Sequence, residues 1–209
     1  MGQGAWALHT GRAPDAWVAW FGRRPDTLRG ELGGQVEILV DGGDLWRLLS
    51  SGLVHADLFH LLTNGLVLLA LGWLLEPRLG AARWLAVVCL GVLGGSVVAW
   101  LSGVARSDGV SAGAFALLGA AVAVGRRWPE LDDGERRGLV QGLGSLAGLN
   151  LALSMAVPSL DAAAHAGGFL TGLVTGAALR QGPGSRLWWG LVAGCGAVAG
   201  AGAIGLLGG

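Results

Sequence analysis

The chain has 209 residues, of which 53% are hydrophobic and only 13% charged, with 14 basic side chains balancing 14 acidic ones. That composition suits lipid better than water, and the balanced charge excludes both a basic nucleic-acid-binding face and an acidic solvating tail. Every positive charge is an arginine, and Cys89 and Cys195 each lie inside an apolar run without metal or disulfide spacing, so both are read as inert packing residues.

Residues 1–50 mix Arg12, Arg23, Arg24 and Arg29 with acids and glycines and contain no continuous apolar core suited to a secretory signal. The stretch from Trp6 to Phe21 is interrupted by His9, Arg12 and Asp15, which makes it too polar for a span. Six uncharged runs follow, each near the ~20 residues that cross ~30 Å of hydrocarbon. They extend from Leu58 to Leu75, Trp84 to Leu101, Gly109 to Gly125, Gly138 to Val157, Ala162 to Leu179 and Leu187 to Leu207. The polar remainder reads as short loops. Many glycines fall inside the runs, among them Gly94, Gly95, Gly168, Gly172 and Gly176. In lipid the backbone must bond to itself, and small residues let helices approach closely, so the expected fold is an all-α polytopic membrane bundle of about six transmembrane helices.

Arginines mark alternate loops. Arg78 and Arg83, then Arg126, Arg127, Arg136 and Arg137, then Arg180 and Arg186 flank the inner ends, whereas Arg106 stands alone between the second and third runs. Positive charge collects in short cytoplasmic loops, so the first, third and fifth runs are expected to start on the outer side. The arginines of the first 50 residues pull the other way.

Polar groups inside spans are costly and therefore functional candidates. His60 and Asn64 lie early in the first run, Ser111 opens the third and His165 lies near the start of the fifth. At ~1.5 Å per residue these positions share a shallow depth on three co-oriented helices. His60 and Asn64, four residues apart, share a helical face. A serine, an imidazole and two further donors are the parts that acyl transfer requires. Taken singly, each has a blander reading: a helix cap for Ser111, a packed or pore-lining group for His165, interhelical glue for Asn64. Gly109-Val110-Ser111-Ala112-Gly113 matches the soluble nucleophile elbow only formally, because that motif needs a sheet beneath it. His55 and His60 are five apart, with no glutamate after the first, which argues against a zinc protease and leaves no metal site in the reading.

From about Trp46 to Gly176 the ordered motifs resemble the rhomboid family. Trp46-Arg47 is similar to its W-R pair, His55, His60 and Asn64 to its H-x4-H-x3-N, and Glu76-Pro77-Arg78-Leu79-Gly80 to its E-x-R-x-G. Gly109-Val110-Ser111 resembles the start of its G-x-S-G motif. Asp161 to Gly172 resembles its histidine helix, with Gly168 and Gly172 forming the following G-x-x-x-G. The resemblance implies an intramembrane serine endopeptidase, without cofactor or metal, that cleaves transmembrane segments of membrane proteins.

On that resemblance Ser111 is the nucleophile, His165 the base and then acid, and His60 and Asn64 the oxyanion donors alongside the Ser111 N–H. His55 joins the structural set. Trp46, Arg47, Glu76 and Arg78 are implied to brace the outer loop and its following helix, while Gly168 and Gly172 let the histidine helix approach the serine helix. Asp161, one turn before His165, reads as a helix cap rather than a triad member. Ala112 departs from the family glycine and is expected to crowd the oxyanion position, whereas Phe115, where the family often has tyrosine, keeps a ring for the imidazole. The expected organisation is an N-terminal segment and outer loop at 1–45 with the first core helix weak or missing, a catalytic core at 46–180, and an additional C-terminal transmembrane helix at 181–209. Implied partners are transmembrane substrates and membrane lipids, with no nucleic acid, in a bacterial inner (plasma) membrane. The rival reading is a catalytically silent relative that binds transmembrane helices. A transporter or channel would place paired charges at mid-membrane, which this sequence lacks.

Overall fold

The computed structural model describes residues 23–157, 160–181 and 185–207; the stretch from Trp6 to Phe21 lies outside them. The segment before the first span is structured by short pieces. Helix α1 (Asp26–Glu31) leads into strand β1 (Gln35–Val36), helix α2 (Glu37–Asp41), helix α3 (Arg47–Ser50) and a 3₁₀ turn at Ser51–Leu53. Six longer helices follow: α4 (Leu58–Leu79), α5 (Ala81–Leu101), α6 (Ser111–Val124), α7 (Asp133–Ala156), α8 (Ala162–Arg180) and α9 (Arg186–Leu207). Each contains or closely matches one of the six apolar runs. Strand β2 (Arg106–Ser107) precedes α6 and pairs antiparallel with β1, Gln35 opposite Ser107 and Val36 opposite Arg106. The ribbon ties the first loop to the loop that leads into α6 and Ser111. Two-residue strands have no periodicity to read, which is why the sequence showed only loop there.

Helix boundaries follow local chemistry. The Asp57 carboxylate caps α4 by accepting from the His60 N–H at 2.7 Å, and the Asp161 carboxylate caps α8 by accepting from the Ala164 N–H at 2.9 Å. Asp132 and Glu135 form a capping box that starts α7. Gly80, at φ +83°, ends α4 and turns the chain straight into α5.

Helices α4, α5, α7 and α8 are long and apolar enough to cross a membrane by length and composition. Leu66, Trp73, Leu149, Met155 and Leu170 on them face outward, as lipid-contacting side chains would. This is an integral-membrane architecture. Helix α6 is different, because its ten successive residues from Ala112 to Ala121 are all buried. A helix hydrophobic all round belongs at the centre. Its 14 residues reach only about 21 Å at 1.5 Å per residue, short of the ~30 Å hydrocarbon layer.

Close packing around α6 depends on small residues. A methyl group at Gly168, Gly172 or Gly176 would collide with the backbone of Ala112, Ala116 or Ala120 respectively. The four-residue spacing on α8 thus matches the four-residue spacing on α6, a small-residue seam that brings the two backbones together. A methyl group at Gly91 or Gly95 of α5 would collide instead with the side-chain methyl of Ala116 or Ala112 of α6.

Candidate active site

The seam brings Ser111, first residue of α6, against His165, in the first turns of α8. Ser111 Oγ lies 2.8 Å from His165 Nε2. Val110, not Ser111, occupies the N-cap of α6, so the serine hydroxyl is not used as a cap. Phe115, one turn into α6, stacks on the imidazole with ring centroids 4.5 Å apart and planes inclined by 19°. His165 is buried, and its other nitrogen, Nδ1, lies 2.6 Å from Ser154 Oγ on α7. Nothing in the sequence singled out Ser154, since a lone serine in an apolar helix ordinarily bonds its own backbone. The only pointer was register: Val140, Leu143, Ala147 and Ser154 form the buried stripe of α7.

His60 and Asn64 converge on Gly109, two residues before Ser111. A methyl group at Gly109 would stand 2.8 Å from His60 Cε1 and 3.3 Å from Asn64 Nδ2, and its φ of +106° is closed to most other residues. The glycine is therefore fixed twice, by its backbone and by the ring against it. Asn64 is buried and its Nδ2 has no acceptor among the described residues. An unpaired buried donor is costly unless something arrives to accept from it. As the first residue of α6, Ser111 also has a backbone N–H without an intrahelical acceptor.

His60, Ser111 and His165 border a cavity of about 520 Å³ lined also by Asp57, Gly109, Ala112 and Asp161, with Arg29, Arg106 and Asp108 at its charged side; Asn64 is not among its lining residues. Arg29 pairs with Asp108 and Asp26, and Arg106 donates to the Asp26 carbonyl at 2.9 Å. Burial pushes the Asp108 carboxyl up to about 6 despite the nearby Arg29 and Arg106 guanidinium groups. His55 is buried edge-on to His60, ring centroids 5.1 Å apart. Burial, reinforced by repulsion from His60, holds the His55 imidazole down at about 4. Among the described residues no three metal-ligating side chains cluster.

The supporting residues divide between two ends. Arg47 binds the Gly30 carbonyl at 2.5 Å and Asp44 at 2.8 Å, lies over the Trp46 ring at 4.6 Å, and so pins the segment above the cavity. Glu76 and Arg78 do not brace the outer loop. They lie in the last turn of α4, 16 or more residues beyond His60, hence about 24 Å away along the axis. There Glu76 is exposed, while Arg78 binds Glu130 at 2.8 Å and stacks over Trp128 at 5.1 Å, stitching α4 to the loop between α6 and α7.

Ala112 is also placed differently from expectation. Its methyl group packs toward α5, in the space that Gly95 leaves open, with Ala99 and Ala164 beside it. The steric load of the methyl falls on the α5 interface, where a glycine already accommodates it.

The Rhomboid domain profile matches residues 42–182. RHOMBOID-like protein 5 of Arabidopsis thaliana is 34% identical over 161 residues, covering 75% of this chain and 51% of that protein. RHOMBOID-like protein 2 of the same plant is 38% identical over 143 residues, covering 66% and 43%. Rhomboid protease GluP of Bacillus subtilis (strain 168) is 28% identical over 151 residues, covering 70% and 28%. The chain thus spans about half or less of the length of these relatives. No solved structure matches.

Proposed function

Because this chain belongs to the rhomboid family, we propose that it is an intramembrane serine endopeptidase, with Ser111 and His165 as its dyad and segments of membrane proteins as its substrates. The observation that carries the reading is the 2.8 Å contact between Ser111 Oγ and His165 Nε2 at the edge of a cavity also bordered by His60.

A neutral serine is a poor nucleophile until a base can take its proton. In the proposed reaction Ser111 Oγ attacks the peptide carbonyl carbon while His165 Nε2 accepts the hydroxyl proton. The carbonyl oxygen becomes an oxyanion, stabilised by donors from His60, Asn64 and the Ser111 N–H. Collapse breaks the carbon–nitrogen bond, and the proton held by His165 passes to the leaving amine. Water then attacks the acyl-serine with His165 again as base, releasing a carboxylate and restoring Ser111. A helical substrate must first unwind, because its peptide carbonyls are otherwise committed to internal hydrogen bonds.

The test is covalent labelling by a serine-directed probe small enough to enter the cavity. Ser111 is expected to react in the wild type, and both Ser111→Ala and His165→Ala to be blank, since loss of either member of such a pair costs ~10⁶-fold in the subtilisin case. Labelling that persists in folded His165→Ala would remove the dyad. A wild type inert to several probe chemistries would favour the silent, helix-binding relative.

A further inference from the structure

The geometry points to Ser154 as a positioning residue that selects the catalytically useful tautomer of His165, a third member of the site contributed by α7; this rests on the dyad reading above. A serine hydroxyl has one hydrogen and two lone pairs, and a neutral imidazole has one N–H. Ser154 Oγ is 2.8 Å from the Asn150 carbonyl oxygen, which can only accept. Its hydrogen is committed there, one turn back along its own helix. Toward His165 Nδ1, 2.6 Å away, the same oxygen then acts as acceptor. Nδ1 carries the hydrogen, and Nε2 presents a lone pair to the Ser111 hydroxyl 2.8 Å away.

The opposite assignment fares worse. If Ser154 donated to Nδ1, Nε2 would bear the hydrogen and donate to Ser111 Oγ, and the Ser111 hydrogen would find no acceptor among the described residues. Ser154 and His165 are both buried, where an unmade hydrogen bond is expensive. The chain of one-way donors from Ser111 to His165 to Ser154 to the Asn150 carbonyl leaves none of them unmade. The carboxylate of a soluble serine protease performs the same service, holding the ring and its tautomer. Here Asp161 is turned to the Ala164 N–H instead, and a neutral hydroxyl serves in its place without adding a charge to the membrane interior.

Two measurements test this on the full-length protein in bilayers. The first is ¹⁵N magnetic resonance of histidine-labelled protein, with the His165 signals identified by their loss in His165→Ala. The expected wild-type pattern is a protonated Nδ1 and an unprotonated Nε2, with Ser154→Ala shifting the population toward the other tautomer. The second is cleavage of a model transmembrane substrate. Ser154→Ala is expected to lower kcat by about 10- to 100-fold with little change in KM, between the loss of one neutral hydrogen bond and the loss of a full triad carboxylate. Ser154→Thr, which keeps the hydroxyl, should recover part of that loss. A wild-type Nε2–H tautomer, or a Ser154→Ala protein with unaltered tautomer and kcat, would overturn the assignment. Cleavage that is absent in wild type or survives Ser111→Ala would instead sink the protease reading, and the nitrogen signals would still decide for or against the Ser154 contact.

Discussion

The two side-chain donors proposed for the oxyanion differ in how they are held, which makes single-residue effects separable. His60 is anchored at its backbone by Asp57, and Asn64 is left with an unspent Nδ2 hydrogen. Removing one oxyanion donor typically costs ~10²–10³-fold in rate. His60→Ala and Asn64→Ala are therefore expected to cleave a model substrate measurably but at rates reduced by that order; an unchanged rate in a protein that Ser111→Ala silences would refute their role. Asp108, on the loop that enters α6, gives a pH signature of its own. Its folded-state value of about 6 lies above the ordinary 3.8, so the folded state binds its proton more tightly than the unfolded chain does. The resulting stabilisation is fully present below about 3.8 and disappears as the pH rises through 6. Its size is at most about 3 kcal/mol, taking 1.36 kcal/mol per unit. His55 acts in the opposite sense, because a base held at about 4 costs stability as the pH falls through the ordinary 6.5. Comparing wild type with Asp108→Asn cancels His55: the stability of wild type relative to the variant should decline from pH 4 to 7, and a flat difference in unfolding midpoints would contradict it. The sequence offered His60, Asn64, Ser111 and His165 as costly polar groups in spans, but not Asp108 or Ser154, whose significance comes only from what the fold sets beside them.

The short central helix decides where Ser111 stands along the bundle. Its flanking helices α5, α7 and α8 run 21, 24 and 19 residues against 14 for α6, so its N-terminus and Ser111 can lie below the ends of its neighbours. The six helices could be read from hydropathy because chain that enters lipid must be long and apolar. The seam between α6 and α8 was readable only in part: Gly168, Gly172 and Gly176 stood out, and Ala112 drew notice only as a departure from a family motif, whereas Ala116 and Ala120, the partners of Gly172 and Gly176, look like any apolar residues. Backbone contact at this seam leaves no room for a side chain, and overpacking a tight core costs about 1–3 kcal/mol. Gly172→Ala should therefore lower the thermal unfolding midpoint and, by pushing α8 from α6, weaken probe labelling at Ser111. Ala112→Gly should behave differently, because Ala112, although it borders the cavity, sets its methyl against Gly95 of α5. It is expected to keep its cleavage rate while losing about 1 kcal/mol of stability, the usual penalty for glycine inside a helix. A several-fold rise in rate would restore the crowding argument, and an intact unfolding midpoint would contradict the packing one.

At the scale of the whole molecule, the site and the arginine-rich loops occupy opposite ends of the bundle. Arg78 and Arg83 flank the α4–α5 turn, Arg126, Arg127, Arg136 and Arg137 the α6–α7 connection, and Arg180 and Arg186 the α8–α9 connection. The cavity end carries Arg23, Arg24, Arg29, Arg47 and Arg106, fewer in number. Since orientation follows the arginine and lysine bias of short loops and not net charge, acidic partners at either end do not alter the balance. The eight-residue end is expected to face the cytoplasm, which opens the Ser111 cavity to the outer side. Replacing Cys89 and Cys195 with alanine leaves a background without cysteine, as these are the only two in the chain. A single new cysteine at exposed Ser102, in the loop before β2, or at exposed Glu130, between α6 and α7, then reports each end. With a membrane-impermeant maleimide on sealed vesicles of known outside-out orientation, Ser102→Cys should react directly, and Glu130→Cys only after permeabilisation. The reverse pattern would turn the bundle over, and substrates would then have to approach Ser111 from the cytoplasmic face. That outcome would leave the dyad untouched, because the 2.8 Å contact between α6 and α8 is internal to the bundle. On the proposed function it would change only which segments of a membrane protein, those just beneath the outer surface or those just above the inner one, can reach Ser111.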